Sequence, residues 1–231
     1  MESKLVSQAL DGVEADALAV VLFEEDAAPA ELKSASAWLE ELRASGEFTG
    51  KPAELAVLHR PSGIAAKRLV AVGGGKKASF DSAALRRAVG ATVRVLKQKG
   101  VKTLAWWLGA GDAEAAVEGA ILGNFDPDVY KTSSKDSKSL EAFVLVTAAK
   151  DAAQAFERGR ILADAQNFTR ELVNEPANRM TPTLLAERAR AMSAESGLEC
   201  EILDQDRMQQ LGMGALLGVA QGSEGQWGVA L

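Results

Sequence analysis

Histidine occurs once in this sequence of 231 residues, as His59, and cysteine once, as Cys200. That scarcity excludes much hydrolytic chemistry. Zinc centres with two or three histidine ligands, an H-E-x-x-H helix and a four-cysteine cluster all need more of these residues. A Ser-His-Asp triad would depend on His59 alone, which sits in Leu58-His59-Arg60-Pro61 at a strand end. A single cysteine also excludes an internal disulfide framework and suits a reducing cytosol, so a cytoplasmic location is expected. Cys200 reads as a small buried apolar residue. Asp126 and Asp128, with Glu118 and Asp112 nearby, offer carboxylates to a metal, but Pro127 between them makes a turn the plainer reading. Gly73-Gly74-Gly75 lies between a strand signal and a helix signal, with Lys76 just beyond. α/β folds hold phosphate on backbone amides at that position, so these four residues form the candidate anion-binding loop. No G-x-G-x-x-G or G-K-[ST] accompanies them, and a tight turn explains the glycines more simply. Residues 67–102 carry ten Lys/Arg and one acid, Asp81, a local charge of +9 in a chain whose net charge is −6. Such a segment can mark a nucleic-acid surface. No aromatic residue is interleaved on its helix, so a solvated face is the plainer reading and nucleic acid is not an expected partner. Trp106-Trp107 reads as the core and the face of one strand.

The elements that must position these residues alternate. Residues 15–23 form a continuous apolar run, suited to a strand buried on both faces. Pro29 starts a helix to about Ser45 with Leu32, Ala35, Leu39 and Leu42 on one stripe. Strands follow at 55–58 and 68–72. Asp81 or Ser82 caps a helix to Lys99, with Leu85, Val89, Val93 and Leu96 inward, and Gly100 closes it. Strand 103–108, helix 112–122 and strand 143–147 complete the series, and residues 4–10 can add an edge strand. The pattern predicts an α/β domain over residues 1–150 with a mixed, largely parallel sheet. Residues 151–175 read as a long linking helix. Thr181-Pro182 restarts a helix as N-cap and first residue, running to Ser196 with Gly197 as its stop. Strands are expected at 198–203, 216–220 and 227–231, with a short helix at 204–211. The sequence reaches Leu231 inside an apolar strand signal, so residues 176–231 read as the incomplete start of a second α/β domain. No apolar run approaches the ~20 residues of a membrane-spanning helix.

Residues 169–183 read T-R-E-L-V-N-E-P-A-N-R-M-T-P-T, and residues 212–223 read G-M-G-A-L-L-G-V-A-Q-G-S. At this spacing the pair closely resembles the opening of the catalytic domain of the M17 leucyl aminopeptidases, also called cytosol aminopeptidases. Residues 118–132, E-G-A-I-L-G-N-F-D-P-D-V-Y-K-T, resemble the end of that family's N-terminal domain, and L-V-A-V-G-G-G-K at 69–76 is also in place. The resemblance implies a macro-domain-like N-terminal domain, a linking helix and an aminopeptidase domain. It implies removal of N-terminal residues from peptides by an enzyme with two divalent metals, manganese or zinc, in a cytoplasmic homohexamer. The motif residues themselves read as structural. Asn174 and Asn178 can bond local backbone, Pro176 fixes a bend, and Thr181-Pro182 opens a helix. Gly212, Gly214, Gly218 and Gly222 would permit a tight turn and close packing around a strand. The family's metal ligands and catalytic Lys and Arg lie in motifs of the type G-K-G-x-x-F-D-S-G-G and N-T-D-A-E-G-R, absent from these 231 residues. No catalytic or metal residue is therefore assigned here. The competing class is a small-molecule module, with the macro-like domain binding ADP-ribose through Gly73–Gly75.

Overall fold

The apolar run becomes β2 (Ala17–Leu22), the inner strand of a six-stranded sheet in the computed structural model. The structure describes residues 1–25, 29–109, 111–131, 138–149, 151–222 and 229–230. The sheet order is β1 (Glu2–Val6), β6 (Ala142–Val146), β5 (Thr103–Trp107), β2, β4 (Arg68–Gly73) and β3 (Leu55–His59). Every neighbouring pair is parallel except β3 with β4. This is the mixed, largely parallel sheet that the alternation predicts.

Alternation along β2 sends side chains into two cores, because successive residues point to opposite faces. Leu18, Val20 and Leu22 pack with Leu32, Leu39, Leu42 and Phe48. Ala17 and Ala19 face α2 (Ser82–Gln98) and α3 (Ala113–Asn124), through Leu85, Val89, Val93 and Leu96. Asp81 is the N-cap of α2, accepting from Ala84 N–H at 2.7 Å, and Asp112 caps α3, accepting from Glu114 N–H at 2.9 Å. Lys97 ends a helix other than its own. Its buried Nζ donates to the carbonyls of Gly123, Asn124 and Phe125 at 3.2–3.3 Å, at the C-terminal end of α3 where a cation is favoured by the helix dipole.

Several elements depart from expectation. The helix expected from Pro29 opens as a 3-10 turn, Ala30–Ala35, and α1 spans only Ser36–Ala44. Leu32 has non-helical torsions there (φ −98°, ψ 24°), yet it and Ala35 stay buried beside Leu39 and Leu42. Burial of the stripe was legible; the change of pitch was not.

The chain divides into two compact units, residues 1–167 and 168–231, and the division falls within α4 (Ala152–Asn174). Ala152, Phe156 and Ala163 join the core of the first unit. Asn174 is the last residue of α4, so the linking helix expected over 151–175 ends one residue early. In the second unit α5 (Pro182–Ser196) has Thr181 as its N-cap, accepting from Leu184 N–H at 3.3 Å, and Gly197 follows in the left-handed region at φ +68°. The strand expected at 198–203 is reduced to β7 (Ile202–Leu203), followed by α6 (Gln205–Gln210). The strand expected at 216–220 is a helix, α7 (Gly214–Ala220). A five-residue apolar run has no decisive period, and here Val219 is 87% exposed. Of the last expected strand, Val229–Ala230 forms β8, antiparallel to β7, and residues 227, 228 and 231 lie outside the described residues.

Candidate functional site

The glycine loop is built for close packing of backbone. A Cβ on Gly73 would lie 1.9 Å from the Lys51 carbonyl oxygen, and one on Gly74 would lie 2.7 Å from the Val21 side chain. Gly75 has φ +75°, which favours glycine. Gly73 N–H donates to Glu54 O at 2.9 Å, Gly74 N–H to Leu22 O at 2.9 Å and Gly75 N–H to Gly50 O at 2.7 Å. These three amides are committed to carbonyls, and all three glycines are buried. An anion cradle needs N–H groups turned outward. The loop is a three-segment junction, and of the four candidate residues only Lys76 is exposed. Glu54 holds the junction's second strap. Burial works against its ionisation, but hydrogen bonds from the Thr49 hydroxyl and from the N–H groups of Thr49 and Lys51 outweigh that and lower its pKa.

A cleft does open beside the loop, at the carboxyl ends of β2 and β5. Strand order reverses about β2 there, since β4 lies on one side of it and β5 on the other. Such switch points are where open α/β sheets bind ligands. A hollow of about 210 Å³ is lined by Phe23, Phe80, Leu85, Trp106, Trp107 and Leu108, among others. A second, of about 420 Å³, shares Phe23, Lys77, Phe80 and Leu85 and reaches Asp81, Ser82 and Asp112. The Phe23 and Phe80 rings meet edge to face with centroids 5.1 Å apart. Ser82 Oγ donates to Asp112 Oδ2 at 2.9 Å, tying the two helix starts together. Trp106 is wholly buried, and its Nε1 has no hydrogen-bond partner among the described residues.

The other candidates fall apart as constellations. His59 is exposed and pairs in register with Arg68 at the sheet edge. Cys200 is half-buried and outside β7, not a core residue, because the strand expected around it does not form. Asp128 N–H donates to Asp126 Oδ1 at 3.0 Å and its carboxylate pairs with Lys131 at 2.7 Å, which is a turn. Within the basic segment Lys67 pairs with Asp16, Arg86 with Glu118 and Lys102 with Glu141, and Lys97 is buried. Among the described residues no group of three or more His, Cys, Asp or Glu is placed to hold a metal. The described residues therefore do not by themselves fit a dimetal centre.

The motif 169–183 spans the end of α4, a turn and the start of α5. Pro176 O accepts from the N–H groups of Arg179 at 2.8 Å and Met180 at 2.9 Å, which makes the bend. Asn178 is exposed on that turn. Gly212, at φ +72°, ends the turn after α6, and Gly214 begins α7. Among the described residues, Cβ atoms at Gly212, Gly214, Gly218 and Gly222 would meet nothing within 4 Å. Thr132 and Ser223 of the quoted motifs lie outside the described residues.

Residues 19–134 match the family model for the N-terminal domain of the cytosol aminopeptidase family, and residues 167–229 match that for its catalytic domain. The chain belongs to the cytosol aminopeptidase family. A probable cytosol aminopeptidase of Solibacter usitatus is 50% identical over 228 residues, covering 96% of this chain and 46% of the relative. The bottromycin maturation enzyme BotP, solved in complex with Mn, has 27% identity and a TM-score of 0.73, covering 92% of this chain and 43% of BotP. A mutant tomato leucine aminopeptidase has a TM-score of 0.79 at 24% identity, covering 98% of this chain and 49% of its own, and shares the fold. The chain spans about half the length of the curated relatives it matches. The N-terminal family match takes in the glycine junction and the cleft, and the catalytic-domain match takes in the Asn174–Pro182 turn. Among the described residues no helix is long and apolar enough to cross a membrane.

Proposed function

We propose that these 231 residues are the N-terminal domain, linking helix and opening of the catalytic domain of a metal-dependent leucyl aminopeptidase. On this reading residues 1–150 are a macro-like domain, 151–175 the linker and 176–231 the incomplete catalytic domain. The observation that carries it is the Asn174-Glu175-Pro176-Ala177-Asn178 turn with its Thr181-Pro182 helix start, inside the catalytic-domain match. The parent enzyme would release N-terminal residues from peptides in the cytoplasm as a homohexamer with two manganese or zinc ions. Those ions would be held by later motifs, so no chemical step is assigned to residues of this chain. The residues it contributes support: a turn that joins α4 to α5, and a folded first unit.

Two measurements test this. Purified 1–231 with excess manganese or zinc is expected to leave leucine p-nitroanilide intact, since the metal-site motifs are absent from its sequence. Measurable hydrolysis that survives purification to homogeneity would overturn the assignment of catalysis to later motifs. A reading frame continuing past Leu231 is expected to encode a Lys/Asp/Glu-rich G-K-G-x-x-F-D type motif. A continuing frame without one would remove the peptidase reading.

A further inference from the structure

We propose that the outer edge of β3 is a contact between two copies of this chain, which pair their β3 strands antiparallel about a two-fold axis at Val57 and join their six-stranded sheets. The proposal concerns one edge of the first unit and stands whether or not the parent is a peptidase.

The two edges of the sheet are built differently. β1 carries Glu2 and Lys4, exposed and paired with each other at 3.0 Å. Such charges keep an edge from pairing with another chain. β3 reads Leu55-Ala56-Val57-Leu58-His59, without an acid, a Lys, an Arg, a proline or a glycine, and its first four residues are half-buried. Its backbone is half used. Gly73 N–H donates to Glu54 O, and Arg60 N–H donates to Lys67 O, both at 2.9 Å and at opposite ends of the β3–β4 register. Bonded and non-bonded pairs alternate in an antiparallel ladder, so Ala56 and Leu58 bond to β4 while the N–H and C=O groups of Leu55, Val57 and His59 point outward. Among the described residues no strand takes them up.

A second β3 answers this row. An axis at Val57 sets Val57 against Val57, Leu55 against His59 and Ala56 against Leu58. Outward residues then face outward residues and exchange hydrogen bonds in both directions, as an isologous contact requires. Leu55 and Val57 lie on the side of one core and Ala56 and Leu58 on the side of the other, so the pairing extends both apolar layers. At each end Glu54 comes opposite the exposed Arg60 of the second copy. These charges fix the register. Moving the axis by one residue keeps the hydrogen bonds but sets Glu54 against Leu58, or Arg60 against Ala56. An uncharged extended peptide would answer the hydrogen bonds and neither charge, so the occupant assigned is a second copy.

The test is sedimentation equilibrium of the 231-residue chain, together with amide hydrogen exchange read by nuclear magnetic resonance. One strand pair is a small interface, so a monomer–dimer equilibrium with a Kd of about 10–100 μM is expected. The amides of Leu55, Val57 and His59 should gain protection as concentration rises, while those of Ala56 and Leu58 are protected throughout. His59→Pro removes an outward donor beneath an exposed side chain and no bond to β4, so the fold is retained and dimerisation should weaken at least about tenfold. Arg60→Glu sets like charges opposite each other and should weaken it several-fold at low salt. A monomer at every concentration up to about 0.5 mM overturns the proposal, whether the edge stays bare or takes an extended peptide. A dimer in which the three outward amides gain no protection overturns it equally, because association then uses another surface. So does a dimer that both substitutions leave intact. Protection of those amides that is independent of concentration also overturns it, since a segment of the same chain would then cover the edge.

Discussion

Asp16 joins three chain segments with one carboxylate. Its Oδ1 accepts from Lys67 Nζ at 2.7 Å, and its Oδ2 accepts from the N–H groups of Lys102 at 2.9 Å and Thr103 at 3.1 Å. The Lys67 hydrogen bond is the largest cause of a pKa lowered to about 2; burial opposes it, and the two backbone donors add to it. The unfolded chain binds that proton near 3.8, so ionised Asp16 stabilises the fold at neutral pH. The contribution is complete above the unfolded value and fades as pH falls through about 2. Lys67 is largely exposed, so solvent screening trims the effect to about 1–2 kcal/mol. Asp16→Ala should lower the urea midpoint at pH 7, and the gap to wild type should narrow as pH approaches 2. A gap that stayed constant between pH 6 and pH 2 would show that the carboxylate charge has no part in it.

The crossing of α2 and α3 depends on residues that a helix would ordinarily avoid. A Cβ on Gly119 would lie 2.5 Å from the Arg86 carbonyl oxygen, and one on Gly123 would lie 2.8 Å from the Gly90 backbone. The glycines let the two helices approach until backbone meets backbone. Gly119→Ala would gain helix propensity, roughly 1 kcal/mol, in isolation. Here the clash with backbone cannot be relieved by a rotamer, and overpacking costs about 1–3 kcal/mol or more. A net loss of thermal stability is expected by calorimetry, and a gain would mean that the helices separate freely. The sequence hid this, because an interior glycine reads as a weak helix position and its neighbour across the interface is distant in sequence. Caps were legible because they are local: Asp81, Thr181 and Gly197 act within a few residues of themselves. The same contrast governs the cleft. Its walls come from positions 23, 80, 85 and 106, each of which reads alone as ordinary core. The glycine loop looked functional because it was contiguous, and its amides are used internally. The strand expected in place of α7 has a related origin, since five apolar residues carry no partner information.

The two units differ in how much core they enclose. Residues 1–167 bury large side chains on both faces of the sheet, among them Trp106, Phe48, Phe143, Leu18 and Leu69. In residues 168–231 the buried apolar side chains among the described residues are Leu203 and Met208. Leu185, Leu198, Leu211, Leu216 and Val219 are exposed there, and β7 and β8 contribute two residues each. Helices of seven residues or fewer, such as α6 and α7, have little stability without tertiary burial. Local opening follows local burial, so proteases should meet the second unit in open states far more often than the first. Limited trypsin digestion is expected to remove the C-terminal region first, at Arg179, Arg188, Arg190 or Arg207, and to leave a resistant fragment ending near residues 150–175. That fragment should keep the near-ultraviolet signal of buried Trp106. Arg160 and Arg170 set a limit on the trimming, because the first part of α4 is held to the core by Phe156 and Ala163 while Arg170 lies past Asn167. Cleavage at Arg170 with retention of Arg160 would locate the end of the stable core within α4. Uniform resistance through Arg207 would show instead that the second unit is as firmly folded as the first.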